Sequence, residues 1–241
     1  MTIETCPFDS LGAVQFGWLD ARHHFSFGHY YDPKRMNVGP LRVWNDDTIS
    51  PGTGFDPHPH RDMEIITYVR EGAITHRDSL GNEGRTEAGD IQVMSAGSGI
   101  VHSEHNLEDD VTRLFQIWII PRNRGGTPRW ETKSFPKGEA ADILHPMASG
   151  EGTADRPKYP GAVEIDQDAT LFAGTLNAGS TITHRLGVDR QAYLVPARGQ
   201  VRIGDTVLAE RDGAIVRDVD LVTIEALEEA EVILVDVPAL A

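Results

Sequence analysis

A chain of 241 residues can bury a substantial core without covalent staples, and it suits one large domain or two small ones. Its formal charge of −15 opposes direct nucleic-acid binding, since affinity for phosphate comes from Lys and Arg replacing counterions. The single cysteine, Cys6, excludes an intramolecular disulfide and a cysteine-built metal cluster, and no apolar run reaches the roughly 20 residues that cross a bilayer.

The opening MTIETCPFDSLG lacks the basic and apolar regions of a secretory signal, so a cytoplasmic protein that binds no membrane is expected. The N-terminal segment that follows is aromatic, and packing or hydrogen bonding suits its His23, His24 and His29 better than ligation. Short strands are then predicted at 65–69, 73–76, 91–94 and 114–120, where β-branched and aromatic residues dominate. Glu71-Gly72, Leu80-Gly81-Asn82, Ala88-Gly89-Asp90 and Gly97-Ser98-Gly99 supply the turns between them. No stretch carries a long helical period, so the fold class is all-β with minor helix, for which 109–113 and 139–144 are the candidates.

Residues 121–160 are dense in Pro and Gly and read as a surface connection between two halves. Strands resume at 170–174, 182–185, 191–195, 200–203, 214–216, 222–226 and 232–235. The halves look like a diverged repeat: Tyr68-Val69-Arg70-Glu71-Gly72 is echoed by Tyr193-Leu194-Val195 and Arg198-Gly199. Counted back from those glycines, His184 takes the place of His58, and Leu186 stands where a second histidine would be. The second half is therefore expected to hold no metal.

The chemistry sits in the first half. His58-Pro59-His60 puts two imidazoles at i and i+2, which an extended strand turns to one face. His102-Ser103-Glu104 repeats that spacing about forty residues on. Two such pairs on neighbouring strands would converge four ligands, His58, His60, His102 and Glu104, on one ion with positions left open. Three imidazoles and a carboxylate suit Fe(II), Mn, Ni, Cu or Zn. Spacing alone leaves a second carboxylate open, because Glu64, at i+4 from His60, has the same parity. His105 should face away from the site, and His76 and His145 read as surface residues. Phe25, Phe27, Phe55 and Trp118 are core by default, with one or two available to line a cavity.

Gly52, His58-Pro59-His60, Glu64 and Gly72, followed by Gly99, His102 and Asn106, resemble the two motifs of the cupin superfamily. More narrowly the chain resembles the pirin family. Gly17-Trp18-Leu19-Asp20, His24-Phe25-Ser26-Phe27, Tyr30-Tyr31-Asp32-Pro33 and Leu41-Arg42-Val43-Trp44-Asn45-Asp46-Asp47 carry the likeness. So do His58-Pro59-His60-Arg61-Asp62-Met63-Glu64, the run from Met94 to Glu104, and Gln116-Ile117-Trp118-Ile119. The resemblance implies two tandem cupin barrels (double-stranded β-helices), at 1–130 with the metal and at 131–241 without it. It also implies that Glu104 is the fourth ligand and that Glu64 is a hydrogen-bonded carboxylate beside the site. The implied cofactor is one divalent transition metal, Fe(II) first, with Mn, Ni, Cu, Zn or Co as the others.

The activity implied is that of a quercetin 2,3-dioxygenase, which takes an aromatic, flavonol-like small molecule and O2, opens the central ring and releases carbon monoxide. Glu104 would serve there as catalytic base. Two rival readings stand beside it. One is an iron-dependent redox sensor or transcriptional co-regulator acting through a protein partner. The other is a metabolite- or sugar-binding cupin isomerase. A flat, aromatic-lined slot favours the flavonol and a polar one the sugar.

Overall fold

The computed structural model describes residues 1–136, 142–150, 159–187 and 189–239. Among them the chain is nearly all strand, and the one helical turn is the 3-10 turn Phe8–Ser10. The helix expected at 109–113 is a bend leading into the strand Thr112–Ile119. The amide of Asn106 donates to the Asp110 carbonyl there and its oxygen accepts from the Glu108 N–H, while the following Val111-Thr112 favours extended backbone. Of the helix expected at 139–144, residues 139–141 lie outside the described residues, and 142–144 form a turn and irregular chain. No helix among them is long and apolar enough to cross a membrane.

Two barrels are built on one plan, each from a seven-stranded and a four-stranded sheet. In the first, the large sheet runs Arg129–Lys133, Ile91–Ser95, Glu64–Glu71, Thr112–Ile119, Leu41–Ile49, Leu19–His23, Gly12–Phe16. Its small sheet runs Thr53–His60, Ile100–Asn106, Ala73–Asp78, Glu83–Glu87. In the second, the large sheet runs Thr2–Cys6, Gly213–Arg217, Arg190–Arg198, Ala230–Pro238, Thr170–Leu176, His145–Gly150, Val163–Ile165. Its small sheet runs Thr181–Arg185, Leu221–Ala226, Val201–Ile203, Thr206–Leu208. The first strand of the chain thus closes the sheet of the second barrel, with Thr5 opposite Ala214. The Pro/Gly-dense stretch is more than a surface connection, since it supplies both Arg129–Lys133 and His145–Gly150 to the sheets.

Both faces of the large sheets are buried, so that in Glu64–Glu71 the residues from Glu64 to Val69 are buried in succession. One face forms an interior shared by the barrels, where Trp44, Ile66, Tyr68 and Phe115 meet Leu171, Tyr193, Ile233 and Val235. The other face lines each barrel's own lumen. The second lumen holds a continuous apolar cluster that includes Phe172, Leu194, Val222, Ile224 and Leu234. In the first, two apolar clusters are separated by a polar belt. Thr67 lies between Ile65 and Val69 on one strand, and Gln116 lies between Leu114 and Trp118 on its neighbour.

A buried ion cluster locks the barrels together. Asp46, fully buried on the shared face, accepts from Arg70 of its own barrel at 2.6 Å and from Arg211 of the other. Arg70 lies over the Phe115 ring and Arg211 over Phe8. Removing the anion strands one buried and one half-buried guanidinium. Asp46→Ala should therefore lower unfolding free energy by about 3–5 kcal/mol, read from the denaturation midpoint. A loss below 1 kcal/mol would refute the clamp.

Candidate metal centre

The strands Thr53–His60 and Ile100–Asn106 run antiparallel, with His102 opposite His58 and Ile100 opposite His60. This register brings the three imidazoles together at the first lumen, with one ring nitrogen of each within 4.8 Å of the others. Imidazole nitrogens on a common ion at about 2.0–2.1 Å stand up to roughly 4.2 Å apart, so small ring rotations suffice. The donor set fits a metal on two further grounds. His102 Nε2 is buried with no hydrogen-bond partner, an orphan that a metal would satisfy. His58 Nδ1 lies 2.7 Å from the Asp56 carbonyl, which can only accept, so the proton sits on Nδ1 and Nε2 keeps its lone pair.

Burial, reinforced by the neighbouring His102 and His58, lowers the His60 pKa from 6.5 to about 4, with Glu104 acting the other way. Burial likewise takes His102 to about 3, with His58 and His76 adding to it. Both rings are neutral at physiological pH, the state in which imidazole ligates.

Glu104 shares the inward face of the strand with His102, but it lies outside the three-histidine group. Its carboxylate is turned onto the polar belt. Oε1 accepts from Gln92 Nε2 at 2.5 Å and Thr67 Oγ1 at 3.0 Å, and Oε2 from Gln116 Nε2 at 2.6 Å. Ionised, it offers about four lone-pair sites, so one is left for an ion or a proton. Sequence reading gave Gln92 and Gln116 no part in the site, yet both bond Glu104. Their signal was a buried amide in an otherwise apolar strand, as in Ile91-Gln92-Val93 and Phe115-Gln116-Ile117.

Glu64 takes the other face. Thr67 points at Glu104, so Glu64, three residues earlier on the same strand, points out of the lumen toward the second barrel. There it accepts from Ser95 Oγ at 2.6 Å and borders a polar cleft with Arg129 and Asp166. Burial pushes its pKa up, opposed by the Ser95 hydrogen bond.

The remaining histidines divide. His23 bonds Asn45 and His24 bonds Tyr193, as packed residues do. His105 turns away from the lumen toward Asp56. His76 is a correction: expected at the surface, it is fully buried and lies opposite Glu104 in the sheet. Its inward parity follows from Ile74 two residues earlier, which packs in the lumen. His145 is half-buried against Phe135. Of the aromatics, Phe25 belongs to the shared interior. Phe55 stands beside His58, and Trp118 stands 5.0 Å from His60 at 82°. Trp18 and Phe27 pack behind them.

In the second barrel the register puts His184 opposite Val222. Positions 58, 60, 102 and 104 correspond there to His184, Leu186, Val222 and Ile224. His184 bonds Asp236, which also holds Arg190.

Fold and site together define a bicupin with a three-histidine centre in its first barrel. Residues 8–119 match the profile described as Pirin, and 154–237 match that of the quercetinase C-terminal cupin domain. A pirin-like protein of Caulobacter vibrioides is 57% identical over 97% of this chain and 99% of its own length. A quercetin 2,3-dioxygenase of Escherichia coli K12 is 39% identical, over 94% and 95%. The nickel(II) complex of the bacterial pirin YhhW from Escherichia coli superposes with a TM-score of 0.90 at 38% identity, covering 99% of this chain and 100% of that one. The chain belongs to the pirin family.

The depressed histidine pKa values set a pH dependence. In metal-stripped protein the folded state takes up these protons near 4 and 3, the unfolded chain near 6.5. The unfolded state therefore binds more protons between these limits, and stability falls as pH drops through that window. Thermal melts of stripped protein between about pH 7 and 4 should show Tm descending, and His102→Asn should make the descent shallower. Parallel profiles for the two proteins would contradict this.

Proposed function

We propose that this protein is a metal-dependent dioxygenase that opens the central ring of flavonols such as quercetin with release of carbon monoxide. In this reading His58, His60, His102 and Glu104 hold one divalent transition metal, with Fe(II) first and Ni(II) the ion carried by the YhhW relative. The bound metal supplies a Lewis acid that lowers the pKa of an enolic hydroxyl and a centre at which O2 reacts. The observation that carries the reading is the wall of the site. Flat, half-buried aromatic residues, Phe55 and Trp118, stand directly against His58 and His60. Such a lining suits a planar polyphenol better than a sugar, which weighs against an isomerase. The relatives named as quercetin 2,3-dioxygenases point the same way.

The chain's own contribution is orientation and proton handling. Phe55 and Trp118 confine the flat rings so that the 3-hydroxyl and 4-carbonyl edge faces the histidines. Glu104, partly released from the metal, accepts the 3-hydroxyl proton on the one lone pair that Thr67, Gln92 and Gln116 leave free. Gln92, Gln116 and Thr67 keep its carboxylate from swinging as that charge changes. Gln116 also accepts weakly from the Trp118 indole N–H at 3.4 Å, tying the aromatic wall to the base.

Protein loaded anaerobically with Fe(II) or Ni(II) should consume O2 on addition of quercetin and evolve carbon monoxide. Retained metal without quercetin-dependent O2 uptake would sink the proposal. Glu104→Gln should lower kcat by about 10²–10⁴-fold, the range expected on losing a general base, and by more than it lowers metal content.

A further inference from the structure

His76 belongs to no motif, yet the structure places it directly behind a ligand. Its Nδ1 lies 3.3 Å from His102 Nδ1, and its Nε2 lies 3.1 Å from Asp78 Oδ2. Asp78 is itself fixed: Leu80 N–H and Asn82 N–H donate to Oδ1, and Asn82 Nδ2 donates to Oδ2. The His76 ring is stacked on the Trp130 indole at 4.8 Å and 8°. Gly84, opposite His76 in the sheet, makes room for that indole, since a Cβ there would lie 2.2 Å from Trp130 Cη2.

The proton positions follow from the fixed end of this chain. A carboxylate only accepts, so His76 Nε2 carries a hydrogen and His76 Nδ1 carries the lone pair. His102 Nδ1 must then donate to it, which leaves the lone pair of His102 on Nε2. That atom is the buried, partnerless one at the three-histidine centre.

The repeat supplies an independent control. Two registers align the barrels: His102 with Val222, and Ile74 with Val201. Position 76 then corresponds to Ile203, an apolar residue buried in a lumen whose ligand positions are Leu186, Val222 and Ile224 beside His184. Where the ligand set is lost, so is the histidine behind it. A ring needed only to fill the lumen would not track the ligands in this way.

We propose that His76, backed by Asp78 and clamped by Trp130, is a positioning residue that holds His102 in the Nδ1–H tautomer with Nε2 aimed at the metal. This rests on the reading of His102 as a ligand, and the experiment separates the two. Co(II) affinity is measured by chelator competition on the full chain, together with the Co(II) absorption spectrum and a thermal melt. Partners at this remove from an ion are worth about 10–100-fold in affinity. His76→Phe keeps the stacking and removes the acceptor, so affinity should fall by about that factor with an altered Co(II) spectrum. His76→Gln offers a carbonyl to His102 and an N–H to Asp78, and should recover most of the affinity and the original spectrum. Asp78→Asn provides a second reading from the far end of the chain, with a smaller loss expected. The proposal is overturned if His76→Phe binds Co(II) as the parent does with an unchanged spectrum, or if the Phe and Gln variants lose affinity equally. His102→Ala in the same assay tests the ligand reading itself: parental binding there removes that reading, whereas loss there with none in His76→Phe removes the positioning role alone.

Discussion

A carboxylate inside a barrel must be met by donors, and much of the first lumen is organised around meeting Glu104. Three strands of the large sheet each give up an inward apolar position to do so: Thr67 from Glu64–Glu71, Gln92 from Ile91–Ser95, and Gln116 from Thr112–Ile119. Hydrogen bonds to a charged group contribute about 1.5–3 kcal/mol each, so three of them offset much of the cost of burying a carboxylate. The belt splits the apolar lining into two clusters, and the histidines lie at its level on the facing small sheet. Asp47 sits in the same lumen, alternating with Asp46, which faces the second barrel. Burial first, then the nearby charges of Asp46 and Glu104, hold its pKa well above the ordinary carboxylate range.

The second barrel shows what happens when that carboxylate is absent. Register places Ile224 at the position of Glu104, and Ala192, Val216 and Asp236 at those of Thr67, Gln92 and Gln116. Two of the three donors have become apolar together with the group they served. The third, Asp236, is an acceptor that has found its own partners in His184 and Arg190, with Arg190 held in turn by Asp168. An internal guanidinium thus neutralises the charge that remains. The donors of the first barrel are explained by Glu104 and not by the barrel fold.

The spacing of these pairs could be read in the sequence because period-two alternation is local: His58 and His60, or His102 and Glu104, share a face wherever the strand runs. The strand segments could be read for the same reason. The choice between Glu64 and Glu104 could not be made from spacing, because parity does not cross a turn. Arg61-Asp62-Met63 reverses the chain through Asp62 at φ 49°, and His60 and Glu64 belong to different sheets. His76 was missed because its strand, Ala73–Asp78, carries Thr75, His76, Arg77 and Asp78 in succession. Only the register against Ile100–Asn106 reveals that it lies opposite Glu104 and beside His102. Non-local pairing also hid the strand Thr2–Cys6, whose partner lies more than 200 residues away.

The second barrel has its own work in this fold. The strands that carry Thr67, Gln92 and Gln116 inward carry Ile66 and Tyr68, Ile91 and Val93, and Phe115 and Ile117 outward. That outward face must be covered, because a sheet strand apolar on both sides is stable only when buried on both. The second barrel supplies the cover with Leu171, Tyr193, Val195, Ile233 and Val235, and fastens it through Arg211 to Asp46 and through Tyr68 to Glu231. Holding this sheet rigid holds the three donors, and through them the one carboxylate whose position the proposed chemistry requires. The second barrel therefore acts on the centre through packing, at a distance from the three histidines.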